Sequence, residues 1–250
     1  MQRFEGKVAL ITGAASGIGR ATAQRLASEG ASVFCLDVQA EGLEETAKLA
    51  SQAGGAAATV VCDVSQEAEV ESAVAACIER FGRLDLLCNV AGVLRFAHSH
   101  ELDTDTWHLV QRINLDGTFF CTRAALPHLL EGGGNIVNVS SVAAKAGLPY
   151  GLAYAASKGG VLAMTKAIAV EYGKQGVRCN SICPGSIKTP MSAGGAGLPK
   201  DADFKLVMRQ MPLDEPRGPE TCAALIAFLG SDDAAHINGE DVLIDGGALA

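Results

Sequence analysis

Short apolar runs alternate with longer amphipathic stretches along the chain. The runs are Val8–Thr12, Ser32–Asp37, Ala57–Asp63, Leu84–Asn89, Asn135–Ser140, Val177–Cys183 and Asp241–Asp245. Several are rich in Val, Ile and Leu, and Gly, Asn or Asp flanks most of them, the pattern of strands buried on both faces. Helical spacing covers Gly17–Glu29, Leu43–Gln52, Gln66–Phe81, Thr104–Leu130, Ala155–Lys174 and Pro219–Gly230. Strands buried on both faces and joined through helices call for a parallel sheet with right-handed crossovers. The alternation therefore predicts an α/β fold, a Rossmann-type doubly wound sheet of seven parallel strands with helices on both faces. No stretch reads as a linker, so residues 1–250 are expected to form a single domain. The one irregular segment, Met191–Leu213 with Gly194, Gly195, Gly197 and Pro199, reads as a lid over a binding site.

Composition narrows the class. Apolar residues make up 48% of the chain and charged residues 19%, enough to bury a large core. A formal charge of −8 argues against a nucleic-acid partner, which would select clustered Lys and Arg. No apolar run is long enough for a membrane span, and the charged Met1–Lys7 leads straight into a strand, so a cytoplasmic protein is expected. The eight cysteines form no CxxC and sit mostly inside apolar runs, reading as buried free thiols of a reducing compartment. The five histidines form no HExxH, and no metal is expected. Glycine, at 29 residues, marks tight turns and close backbone approaches.

The first such approach follows the first strand. Gly13-Ala14-Ala15-Ser16-Gly17-Ile18-Gly19 opens the first helix, a wider turn than a strict GxGxxG. Glycines here let the backbone approach a pyrophosphate, and the helix N-terminus adds free N–H groups and partial positive charge. Gly13, Ser16, Gly17, Ile18 and Gly19 are therefore candidate cofactor contacts. The second strand ends in Asp37, 18 residues beyond Gly19, where a carboxylate accepts from ribose hydroxyls and repels a 2′-phosphate. No Lys or Arg lies in Val38–Glu45, whereas Glu41, Glu44 and Glu45 do, so the expected cofactor is NAD.

With these features the chain resembles the short-chain dehydrogenase/reductase family over nearly its whole length. The matching segments are Thr12-Gly13-xxx-Gly17-Ile18-Gly19, Asp63-Val64, Asn89-Val90-Ala91-Gly92, Asn114, Ser140-Ser141, Tyr154-xxx-Lys158, Pro184-Gly185 and Asp245-Gly246-Gly247, with Val90 departing from the Asn or Ala usual in the family. The chemistry is readable without the resemblance. Of three tyrosines only Tyr154 has a lysine four residues on, on the same helical face. An adjacent ammonium favours the phenolate, and lowering a phenol from about 10 to about 7 takes roughly 4 kcal/mol, part of it available from an oxidised nicotinamide. Tyr154 would then take the alcohol's proton in oxidation or return it in reduction. Ser141 follows an apolar strand at the sheet's carboxyl edge, placed to bind the substrate oxygen. The family's serine lies 13 residues before the tyrosine, which selects Ser141 over its neighbour Ser140.

The resemblance implies the remaining roles. Asn114 would join a proton relay through a water to Lys158, and Lys158 would bind the nicotinamide ribose. Asp63 and Val64 would meet adenine, Asn89 and Gly92 would pass beneath the adenosine ribose, and Pro184, Gly185, Ile187 and Thr189 would line the nicotinamide. The substrate would enter beside Tyr154 under the lid, between Leu94, Phe96, Ala143, Leu148, Tyr150, Ile187, Met191 and Met211. These mostly apolar walls imply a hydrophobic or cyclic secondary alcohol. Arg95, His98 and His100 are the polar exceptions, either anchoring a polar group or simply solvated. Pairing of the Thr104–Leu130 and Ala155–Lys174 helices between subunits implies a homotetramer, with a dimer as the other outcome. Two other functions remain open at this level: a 3-oxoacyl-carrier-protein reductase, disfavoured by the acidic chain, and a non-catalytic NAD-binding sensor, disfavoured by the complete set Asn114, Ser141, Tyr154 and Lys158.

Overall fold

The structure is a computed structural model and describes residues 2–193 and 197–250. The first half of the chain runs β1 (Val8–Thr12), α1 (Gly17–Ser28), β2 (Ser32–Asp37), α2 (Ala40–Gln52), β3 (Ala57–Val61), α3 (Glu67–Phe81) and β4 (Leu86–Asn89). The second half runs α4 (Thr104–Gln111), α5 (Gly117–Gly132), β5 (Asn135–Val139), α6 (Leu152–Tyr172), β6 (Arg178–Pro184), α7 (Pro190–Ala193), α8 (Phe204–Val207), α9 (Pro219–Gly230) and β7 (Asp241–Ile244). The seven strands form one parallel sheet in the order β3-β2-β1-β4-β5-β6-β7.

The alternation of residues along each strand explains why both faces are covered. On β1, Ala9 and Ile11 pack with Ala23, Leu26 and Ala27 of α1 and with Cys222 and Ile226 of α9. Val8 and Leu10 point the other way, into Val70, Val74 and Cys77 of α3 and Cys121, Ala125 and Leu129 of α5. Every β1 residue is buried, so a run without polar alternation is what a strand between two helical layers requires. All eight cysteines are buried free thiols.

Several boundaries differ from the sequence reading by a residue or two, and three helical differences are larger. The long helix expected over Thr104–Leu130 is broken, because Arg112–Asp116 form a π-helical turn between α4 and α5. Such a turn inserts one residue into a helical repeat and leaves the apolar spacing almost unchanged, so periodicity does not reveal it. Helix α2 starts at Ala40 instead of Leu43 because its first turn is solvent-exposed and carries no apolar marker. Helix α6 starts at Leu152 instead of Ala155, which puts Tyr154 in its first turn. Within the irregular segment 191–213, α7, α8 and a tight turn at Met208–Gln210 supply local order, while residues 194–196, including Gly194 and Gly195, lie outside the described residues.

Candidate active site

The strand order reverses direction between β1 and β4, and in open α/β sheets ligands bind at the carboxyl ends of the strands at that point. Thr12 ties the two strand ends together: its buried Oγ1 accepts from the N–H groups of Val90 and Ala91, each at 3.0 Å. Gly13 follows at φ +65°, and a Cβ there would stand 2.8 Å from the Cα of Ala91. A Cβ on Gly19 would stand 2.1 Å from the carbonyl oxygen of Gly13, so only glycine lets α1 start this close to the turn. No side chain caps the start of α1. Its first N–H groups face the cavity mouth with the positive end of the helix dipole behind them.

A cavity of about 550 Å³ opens from this turn across the sheet edge. It is lined by Gly13, Ser16, Gly17, Ile18, Gly19 and Asp37 at one end, by Asp63, Val64 and Gly92 along its floor, and by Pro184, Gly185, Ile187 and Thr189 on the far side. Ser141, Tyr154 and Lys158 line the same cavity, as do Leu94, Phe96, Ala143, Leu148, Met191 and Met211. Asp37 anchors the turn, since one carboxylate oxygen accepts from Ala15 N–H and the other from Gln39 N–H, both at 3.0 Å. Lone pairs remain on each oxygen for further donors. Arg20 stands behind this end, its guanidinium held by the Ala15 and Gly42 carbonyls and by Thr46 Oγ1. It was not singled out in the sequence because it lies outside the segment after Asp37.

At the other end the side chains fall into a compact cluster. Ser140 donates its hydroxyl to the Lys158 carbonyl at 2.8 Å and is thereby committed to the scaffold. Ser141 Oγ accepts only from Ala143 N–H, at 3.1 Å, and its hydroxyl faces the phenol of Tyr154, where hydrogen bonding favours the phenolate. Lys158 is buried, with Nζ donating to Val139 O at 2.7 Å and lying 5.7 Å from the Tyr154 ring centre. Here the expected electrostatics need correction. Burial raises the Tyr154 phenol above its ordinary range despite the Ser141 contact. The same burial pushes Lys158 down to about 8. Both groups therefore lean toward their neutral forms in the chain alone, because desolvation outweighs an ammonium that faces a carbonyl rather than the phenol.

Asn114 and Asn89 lie outside the cavity lining. Asn114 is fully buried in the π-helical turn and grips Val93 by both edges of its amide, accepting from Val93 N–H at 2.8 Å and donating to Val93 O at 2.9 Å. It also donates to Ser157 Oγ at 3.1 Å, and Ser157 in turn donates to Tyr154 O at 2.8 Å. Asn114 is therefore a buried clamp within the π-helical turn. Asn89 donates to Thr122 and Asn138, while its Oδ1 is buried without a partner among the described residues. Thr12 and Asn138 went unassigned in the sequence because their partners lie 25 or more residues away, as does the Asn114 that ties in Ser157, and local spacing is blind to such partners.

Tyr150, expected as a wall, is not among the lining residues; it sits at φ +63° with its hydroxyl bonded to the Asp203 N–H. Arg95 is exposed and among the described residues bonds its neighbour's carbonyl alone, His100 faces solvent beside Glu101, and His98 pairs with Asp201.

The cavity fits a nicotinamide dinucleotide. Its length joins an uncapped helix start to a buried lysine, and Gly92 packs closely against the residues beneath it, since a Cβ there would press on Asn114 Oδ1 at 3.3 Å and touch Lys158 Nζ at 3.4 Å. Comparison with known proteins agrees. A family described as enoyl-(acyl carrier protein) reductase matches residues 13–248. The chain is 44% identical to D-threitol dehydrogenase of Mycolicibacterium smegmatis over 98% of its length and 94% of that protein's. It is 42% identical to meso-2,3-butanediol dehydrogenase of Serratia marcescens, covering 99% of this chain and 96% of that one. The crystal structure of levodione reductase superposes with a TM-score of 0.91 at 39% identity, covering 98% of both chains. The chain belongs to the short-chain dehydrogenase/reductase family, oxidoreductases that act on CH–OH groups with a nicotinamide cofactor.

Proposed function

We propose that this protein is an NAD-dependent dehydrogenase that interconverts a secondary alcohol of apolar or cyclic skeleton and its ketone. The observation that carries this reading is one cavity with Asp37 at one end and Ser141, Tyr154 and Lys158 at the other. Gly13, Ser16, Gly17, Ile18 and Gly19 would hold the pyrophosphate, Asp37 the adenosine ribose, and Asp63 and Val64 the adenine. Asn89 and Gly92 would support that ribose from below, Lys158 would bind the second ribose, and Pro184, Gly185, Ile187 and Thr189 would line the nicotinamide. Held by these residues, the nicotinamide would supply the hydride acceptor or donor and, when oxidised, a positive charge beside Tyr154 that the chain alone does not provide. The Ser141 hydroxyl holds the substrate oxygen, and Tyr154 moves the proton at its own hydroxyl. Asn114 acts at one remove, by fixing Val93 and, through Ser157, the backbone of Tyr154.

Leu94, Leu148 and Met191 would contact the substrate skeleton, and segment 191–213 would serve as the lid of one dinucleotide-binding catalytic domain. The protein would work in the cytoplasm, where eight unpaired thiols stay reduced. Exposed Leu109 of α4, Phe119 of α5 and Val170 of α6 support a homotetramer assembled through these helices. The relatives' names support a dehydrogenase of compact secondary alcohols or their ketones, cyclic levodione as well as the acyclic butanediol and threitol. The test is a screen of NAD⁺ reduction across cyclic, steroidal, aryl and 3-hydroxyacyl alcohols, read as NADH absorbance. Turnover of a cyclic or aryl alcohol supports the proposal, whereas turnover only with NADP⁺ and 3-hydroxyacyl substrates replaces it with the carrier-protein reductase reading.

A further inference from the structure

Among the described residues Tyr150 is the single non-glycine residue with positive φ, at +63°. A bulky side chain is seldom tolerated there unless its surroundings hold it. Three contacts from two segments do so. The Tyr150 carbonyl accepts from Ala97 N–H at 2.9 Å, in the loop after β4. Its ring meets the ring of His98 edge-on at 5.2 Å, and His98 Nε2 lies 3.0 Å from Asp201 Oδ1. Its hydroxyl accepts from Asp203 N–H at 2.8 Å, at the start of α8. A fourth tie runs alongside, Gln210 donating to Gly147 O at 2.9 Å.

These ties lie within four residues of side chains that line the cavity: Leu94 and Phe96 on the β4 loop, Leu148 before α6, and Leu198 and Val207 in the lid. Tyr150 itself stays behind that wall and fastens its three parts to one another. We propose that Tyr150 is a specificity-determining residue whose strained backbone and hydroxyl latch the lid to the two neighbouring loops, closing the outer end of the site so that it takes compact secondary alcohols and excludes those bearing a long chain or a carrier. This rests on the reading of the Ser141–Tyr154–Lys158 cavity as the alcohol site. The geometry makes the strain purposeful, since glycine would hold the same backbone freely and make neither tie to the lid.

The test uses Tyr150→Phe, which loses only the hydroxyl acceptor, and Tyr150→Gly, which loses the ring as well and folds readily because glycine is at home at this φ. Two readouts are taken on the whole protein. Hydrogen exchange of the peptide spanning 198–211 reports the latch without turnover, and exchange on the order of fivefold faster in Tyr150→Phe, and faster still in Tyr150→Gly, is expected for one lost hydrogen bond and then two contacts. The ratio of kcat/KM for 4-heptylcyclohexanol to that for cyclohexanol, two alcohols sharing one carbinol, is expected to rise by a similar factor. Unchanged exchange overturns the latch. Faster exchange with an unchanged ratio overturns the specificity role. A wild type that oxidises neither alcohol while oxidising 3-hydroxyacyl substrates overturns the specificity role together with the compact-alcohol reading, and the exchange arm still judges the latch.

Discussion

The ammonium of Lys158 donates to the carbonyl of Val139 at 2.7 Å, at the end of β5, and is almost wholly removed from solvent. Folding therefore desolvates a cation and returns to it one carbonyl from the sheet edge. The consequence is a lysine whose ordinary value of 10.5 falls to about 8. Between those two values the unfolded chain binds a proton that the folded chain does not, so this group makes stability rise with pH from about 8 to about 10.5.

Lys158→Met removes that burden. The fall from 10.5 to about 8 corresponds to about 3 kcal/mol, so at neutral pH the variant is expected to be more stable than the wild type by up to that amount. It is also expected to lose the rise in stability above pH 8, and to lose turnover. Urea unfolding at neutral and alkaline pH checks both; a variant less stable at neutral pH contradicts the burial argument.

Asn114→Ala removes the amide that grips Val93 N–H and Val93 O and reaches Ser157. Buried backbone groups left without partners cost roughly 1–3 kcal/mol each at most, so a loss of about 2 kcal/mol is expected with relaxation of the loop. Unfolding midpoints measure it, and a change below about 0.5 kcal/mol would show that the clamp is dispensable.

The sheet was legible because its central strands are buried on both faces, so apolar runs such as Leu84–Asn89 stand out whatever their neighbours do, while the partly buried edge strands β3 and β7 still carry Val, Ile or Leu. The site was legible where local spacing carries it, as in Gly13 to Gly19 and in Tyr154 with Lys158. The break at Arg112–Asp116 was not, since one inserted residue leaves the apolar rhythm intact while turning Asn114 inward. Nor was the place of Tyr150, because its partners Ala97, His98 and Asp203 come from segments brought together only by the fold. The charge state of Tyr154 misled for a related reason. Spacing shows that Lys158 shares its face, but says nothing of the desolvation that both endure.

Asp37 decides the cofactor in this account. Asp37→Ser removes the carboxylate that would face a 2′-phosphate and leaves Arg20 nearby. The ratio of kcat/KM with NADPH to that with NADH is expected to rise by about tenfold or more, matching roughly 1.4 kcal/mol of relieved repulsion. Initial rates with the two cofactors measure it, and an unchanged ratio would move the selectivity elsewhere.

Oxidation calls for the phenolate of Tyr154 and reduction for the phenol. Because burial raises the phenol, kcat/KM for alcohol oxidation is expected to climb with pH from neutrality into the alkaline range. Reduction of the corresponding ketone is expected to hold through neutral pH and fall as the phenol ionises. A pH–rate profile in both directions tests the pair, and an oxidation rate that is flat or falls across this range would point to a different base.

The most direct measurement compares the wild type with Tyr154→Phe, titrating NADH by fluorescence and following NAD⁺ reduction with the best alcohol of the screen. The account predicts NADH binding within about threefold of the wild type and turnover lower by a factor of about 10² or more, the usual contribution of a positioned acid or base. Turnover equal to that of the wild type would contradict it.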